Sequence, residues 1–235
     1  MLKFFNANNK SSLKNLELIL NMRKSKQLSQ SSRVKKIISD VKKYGDIAVI
    51  KYEKKYSKIK LKSKNIIFSK KEINFISKNI SNNLKKSIDL AFLRIKKFHL
   101  KQKFSPFKYK DKYSNELSYK YSPIEKVGVY VPGGTASYPS TVLMNCIPAL
   151  VAGVKNIFLT TPVLGTRVNP AIIYAAKKCG VKKIYKTGGA HSIAALTYGT
   201  KTFQKVDKIV GPGNAFVASA KKEVFGDVGI EMVAG

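Results

Sequence analysis

The sequence predicts an α/β protein in which a mostly helical first half leads into an open parallel sheet. Three observations carry this. Up to about Glu125, apolar residues recur every three to four positions between lysine-rich stretches. Beyond it, short β-branched runs alternate with helical runs. The punctuation between them consists of glycine pairs and Gly-Pro-Gly, as tight strand-to-helix turns require.

In the first half, residues 13–22 (LKNLELILNM) form a short apolar-periodic helix. SRVKKIISDVKKYGD sets Val34, Ile37, Ile38 and Val41 on one face of another. Gly45 can end that helix and Asp46 can cap the next, IAVIKYEKKYSK. Ile66–Phe68 is a short strand candidate, and Ser69 with Glu72 makes a capping-box pattern before INFISKN. Leu84, Ile88, Phe92 and Ile95 mark a long amphipathic helix, with His99 near its end. The Tyr-, Ser- and Lys-rich stretch from Phe104 to Pro123 suits edge strands and connections.

In the second half, strands are expected over 127–131, 156–161, 182–187, 207–211 and 229–233. Helices are expected over Ser140–Ala152, Pro170–Cys179, Ala190–Tyr198 and Ala215–Val224. Asn169-Pro170 reads as an N-cap with proline at the first helical position; Gly180 follows the last turn of the same helix. Pro148 predicts a kink in the first of these helices. Five strands interleaved with four helices give a parallel sheet with right-handed crossovers.

The chain has 235 residues and a net charge of +32. Residues 1–126 carry 33 basic and 9 acidic side chains, and the remainder 12 and 4, so the excess is broad. Arginine, whose fork reads bases and phosphates, is confined to Arg23, Arg33, Arg94 and Arg167. The charge therefore reads as a composition bias, giving weak adhesion to nucleic acid without specific binding. No stretch approaches the roughly 20 apolar residues of a membrane span, and no secretory leader is recognisable. A cytoplasmic protein is expected. Cys146 and Cys179 lack metal or redox spacing and read as buried structural thiols. With two histidines, His99 and His191, no zinc-ligand pattern is present.

In such sheets ligands bind beyond the carboxyl ends of the strands. There the sequence places PGGTASYPS, TPVLGTRVN, GGAHS and GPGNA. Glycines there allow close backbone approach, and helix starts at Ser140, Ala190 and Ala215 would aim free N–H groups at an anion such as a pyrophosphate. Neither GxxxxGK[ST] nor a complete GxGxxG is present, since Phe216 stands where the third glycine should be. Asp207, Glu223, Asp227 and Glu231 read as surface or cap residues, and no general base is evident.

The runs VGVYVPGGTASYPSTVLMNCIPALVAGVKNIFLTTP, AAKKCGVKKIYKTGGAHSIAALTYGT and VDKIVGPGNAFVASAKKEV, in that order, resemble the histidinol dehydrogenase family. The earlier RVKKIISDVKKYGDIAVIKYEKKYSK resembles its N-terminal helices. The resemblance implies a zinc-dependent enzyme that oxidises histidinol to histidine in two NAD-linked steps through an aldehyde, working as an intertwined homodimer. It implies a helical opening part of an incomplete Rossmann-like domain over residues 1–126 and a second Rossmann-like domain over 127–235. Of the family's dinucleotide contacts, Tyr130 matches a tyrosine before the Pro-Gly-Gly loop, and Asn214 the asparagine of Gly-Pro-Gly-Asn. His191 stands where the family usually has glutamine. The family's zinc ligands, substrate contacts and catalytic Glu-His pair match no position up to Gly235, so an N-terminal portion without a catalytic centre is expected. Two other readings share these residues: a non-catalytic remnant or scaffold, and a nonspecific nucleic-acid binder acting through charge.

Overall fold

The computed structural model describes residues 4–133, 138–163 and 168–233, with only the backbone of 21–30. Helix α1 (Lys10–Tyr44) is continuous where the sequence suggested two helices. No glycine or proline falls between these ends, so nothing interrupts the hydrogen-bond ladder. Gly45, at φ +54°, ends it and turns the chain directly into α2 (Asp46–Tyr56). Asp46 is the first residue of α2 rather than its cap, because its carboxylate accepts hydrogen bonds from the Thr200 and Thr202 hydroxyls instead.

After a 3₁₀ turn at Ser63–Asn65 come α3 (Lys70–Lys78) and α4 (Asn82–Leu100). The Ser69–Glu72 capping box forms as expected. His99 pairs with Gln102 at 2.7 Å. Ile66–Phe68 is no strand of its own. Ile67 makes one antiparallel bridge to Tyr185, and Phe68 N–H and Ile66 C=O bond to Ile184 and Lys186. Strands β1 (Phe107–Lys110) and β2 (Glu116–Tyr119) pair as a solvent-exposed antiparallel hairpin.

The rest is a doubly wound sheet. Its strands are β3 (Lys126–Tyr130), β4 (Asn156–Thr160), β5 (Lys183–Tyr185), β6 (Lys208–Val210) and β7 (Gly229–Ile230), all parallel, in the order β5-β4-β3-β6-β7. The helices between them are α5 (Pro139–Ala152), α6 (Pro170–Lys178), α7 (Gly189–Tyr198) and α8 (Ala215–Glu223). Helix α5 runs on through Pro148, and Asn169 caps α6 with Pro170 at its first position. The last strand is shorter than the apolar run suggested.

Alternation along the strands builds two cores. Val127, Val129, Val131 and Leu159 pack on one face with α3–α6. Tyr130, Phe158 and Ile209 pack on the other with α1, α2, α7 and α8. The stripe of Val34, Ile37, Ile38 and Val41 meets Ile193 and Leu196 of α7 in that second core. Burying each such side chain contributes about 1.5–3 kcal/mol. The N-terminal helices thus cover both faces of the sheet. Cys146 and Cys179 are free and buried, and the neighbouring Cys179 together with burial pushes the Cys146 thiol up. No helix among the described residues is long and apolar enough to cross a membrane.

Candidate functional site

The first strand of the sheet lies at its centre, so the chain winds outward first one way and then the other. The switch point falls between the carboxyl ends of β3 and β6. A cavity of about 370 Å³ opens there. That is within the roughly 300–1,000 Å³ of small-molecule pockets. Tyr130, His191 and Asn214, taken from three separate turns, all line it. Residues 134–137 of the first turn and 164–167 of the second, including Arg167, lie outside the described residues.

Tyr130 is buried at the end of β3, and its Oη accepts the Gly189 N–H at 3.1 Å. Burial pushes its hydroxyl up, the Gly189 bond opposes this, and the charge of Glu53 adds to it. The phenol stays neutral and keeps its own proton to donate. Asn214 is the N-cap of α8: its Oδ1 accepts from Phe216 and Val217 N–H, each at 3.1 Å. Its amide NH₂ is left for a ligand.

His191, in the first turn of α7, is 2% exposed. Its Nε2 lies 3.0 Å from Oε1 of Glu53, a residue of α2 with no exposed surface. The same oxygen accepts the Gly188 N–H at 2.7 Å. Burial alone would push the Glu53 carboxyl up; His191, the nearby Ser57 hydroxyl and the Gly188 N–H more than offset this and hold it below the usual carboxylate range. Nδ1 of His191 is buried and has no protein partner.

In the sequence, Glu53 is one residue of the helix IAVIKYEKKYSK and carries no motif. The available signal was its position one helical turn after buried Val49, on the apolar face of α2. Some of the donors around the expected helix starts are already partnered. At α7 the Gly188 and Gly189 N–H groups bond to Glu53 and Tyr130, and at α8 the first donors bond to Asn214.

The Gly-Pro-Gly turn is held by a second charged pair. Lys221, 1% exposed, donates to the Gly211 carbonyl and to Glu231 Oε1, and the latter accepts the Gly211 N–H at 2.7 Å. Glu231 is exposed, as expected of a surface residue, and also braces the turn. Asp207 accepts the N–H groups of Glu125 and Lys126; Asp227 and Glu223 accept the Tyr198 and Ser31 hydroxyls. Gly211 sits at φ +106°, and a Cβ there would lie 2.1 Å from the Tyr130 carbonyl oxygen, so β3 and β6 can meet at the switch point only through glycine.

The donor set suits a dinucleotide: a phenol, a carboxamide and an orphaned imidazole nitrogen around one cavity. It does not suit zinc. Among the described residues no three His, Cys, Asp or Glu side chains come together.

A doubly wound sheet with such a cavity at its switch point defines the class of open α/β proteins that hold ligands at the carboxyl edge of the sheet. Comparison with known proteins narrows the class. The model of the histidinol dehydrogenase family matches residues 20–235, and the chain belongs to that family. Histidinol dehydrogenase of Pelagibacter ubique is 53% identical, covering 100% of this chain and 54% of that protein. The Mesorhizobium japonicum enzyme is 46% identical over 86% of this chain and 47% of its own length. The crystal structure of histidinol dehydrogenase from Elizabethkingia anophelis superposes with a TM-score of 0.83 at 41% identity, covering 87% of this chain and 47% of that one. The chain thus spans about half the length of the relatives it matches.

Proposed function

We propose that this chain supplies the N-terminal half of a cytoplasmic histidinol dehydrogenase, with residues 1–126 opening one Rossmann-like domain and 127–235 forming most of a second. Its pocket binds part of NAD. The observation that carries this is the convergence of Tyr130, His191 and Asn214 on one cavity at the sheet's switch point. Tyr130 donates its hydroxyl proton and Asn214 its amide to the cofactor, while the apolar wall beside Phe216 excludes water. NAD, when bound, supplies the hydride acceptor for oxidation of the alcohol and then of the aldehyde. Zinc, substrate contacts, the acid–base groups and the dimer belong to the complete enzyme; no step through the metal is assigned to these residues.

Calorimetry of the purified chain with NAD tests the reading. Saturable binding is expected, weakened about 3–10-fold by Tyr130→Phe or by Asn214→Ala, the loss of one hydrogen bond each. No binding by the folded chain would remove the cofactor site. The chain alone should not form NADH from histidinol, and an assay that detects such turnover would overturn that part.

A further inference from the structure

The buried pair of Glu53 and His191 decides which kind of ligand atom this corner of the pocket accepts. We infer that Glu53 fixes the His191 ring with its proton on Nε2, so that Nδ1 faces the pocket as an acceptor for a hydroxyl or amide donor of the bound dinucleotide rather than for a phosphate. This rests on the reading of the pocket as a dinucleotide site.

Glu53 Oε1 lies 3.0 Å from Nε2 and 2.7 Å from the Gly188 nitrogen. An ionised carboxylate only accepts, so the ring nitrogen it touches must carry the proton. The orienting partner of one imidazole nitrogen sets the state of the other. A neutral ring with Nε2–H has its lone pair on Nδ1. That atom is sealed from solvent, finds no protein donor, and lies beside Gly189, where an added Cβ would be 3.5 Å from it. His191 and Gly189 both line the cavity. A buried acceptor without a partner is costly, and a ligand donor that reaches it recovers that cost.

Charge points the same way. Helix N-termini attract anions through their free N–H groups. Here an internal anion already sits at the start of α7, since Gly188 N–H donates to Glu53, and Gly189 N–H is taken by Tyr130. A phosphate at His191 would meet a lone pair and, behind it, a carboxylate. A ribose hydroxyl or an amide N–H would meet an acceptor. The bond to Glu53 and the burial of the ring, with Tyr52 alongside at a centroid distance of 6.1 Å, oppose a flip that would exchange its nitrogens.

The chain has only two histidines, so ring ¹⁵N resonances report the state directly, with His99→Gln removing the other signal. In the wild-type chain at neutral pH, His191 should show a pyrrole-like Nε2 and a pyridine-like Nδ1. Glu53→Gln, which keeps an acceptor oxygen, should preserve this pattern. Glu53→Met, of similar shape without an acceptor, should convert it to a mixture of tautomers. NAD should shift the Nδ1 resonance, whereas inorganic pyrophosphate at the same concentration should not.

A proton on Nδ1 in the wild type, alone or in a doubly protonated ring, overturns the inference. So does a pyrophosphate shift matching that of NAD, or NAD binding by calorimetry that leaves Nδ1 unmoved. Complete absence of NAD binding would instead defeat the cofactor reading and the ligand half together, while the ring resonances decide the tautomer half by themselves. If Glu53→Met does not fold, the wild type and Glu53→Gln still give these outcomes.

Discussion

The two glycine turns that meet at the pocket are braced in opposite ways. The Gly188–Gly189 turn is held by Glu53, a residue 135 positions earlier that reaches it only when α2 docks on α7. The Gly211–Gly213 turn is held by Lys221 and Glu231, 10 and 20 positions onward in the same βαβ unit. One wall of the pocket therefore belongs to the sheet, while the other exists only when the N-terminal helices are in place. Both braces pair a buried charged side chain with turn backbone. Only the first contains buried side-chain atoms without a partner, His191 Nδ1 and Glu53 Oε2.

The comparison breaks most sharply at Glu53. Glu53→Ala leaves the buried His191 Nε2–H and the Gly188 N–H without their acceptor, which should cost about 2–6 kcal/mol in urea unfolding, about 1–3 for each donor. Because the folded carboxyl lies below its ordinary value of 4.5, its contribution is complete above that pH and lost as pH falls through the lower folded value. The deficit of the variant should therefore be full at neutral pH and shrink in acid. A deficit that is constant with pH would show that Glu53 is not an ionised carboxylate in the folded chain. Glu231→Ala should cost less, about 1–3 kcal/mol, since Lys221 keeps the Gly211 carbonyl and water can reach the vacated place. A cost equal to that of Glu53→Ala would erase the contrast between the two braces. Smallest is Asn214→Ala, which removes the α8 cap for about 1 kcal/mol by the same measurement. A loss well beyond that would mean that the cap also holds the Gly-Pro-Gly turn.

Much of this was legible in the sequence. The β-branched runs around Val129, Leu159 and Ile209 gave the strands, since parallel strands buried on both faces read as short apolar stretches. The glycine turns marked one edge of the sheet as the ligand edge, and Tyr130, His191 and Asn214 beside them stood out only through resemblance to the histidinol dehydrogenase family. Glu53 and Lys221 could not, because each is a charged residue in a chain full of lysine, and their burial follows from packing across elements rather than from any local pattern. Ile66–Phe68 misled for the opposite reason. It has strand-like residues, yet it meets the sheet edge at a single antiparallel bridge.

The distance along the chain between α1 and its packing partner has a consequence for synthesis. The stripe at Val34–Val41 packs against Ile193 and Leu196, which are made some 150 residues later. At typical elongation rates of about 5–20 residues per second, that interval is roughly 10–30 s. Through it, the amphipathic helices emerge from the ribosome with their apolar stripe uncovered, a natural target for chaperones that hold nascent chains. Ribosome-arrested chains stalled before Gly188 should be cut readily by protease within α1 and α2, and chains held on the ribosome by a flexible linker added after Gly235 should resist. Equal protection at both lengths would mean that the helices find cover before the sheet exists.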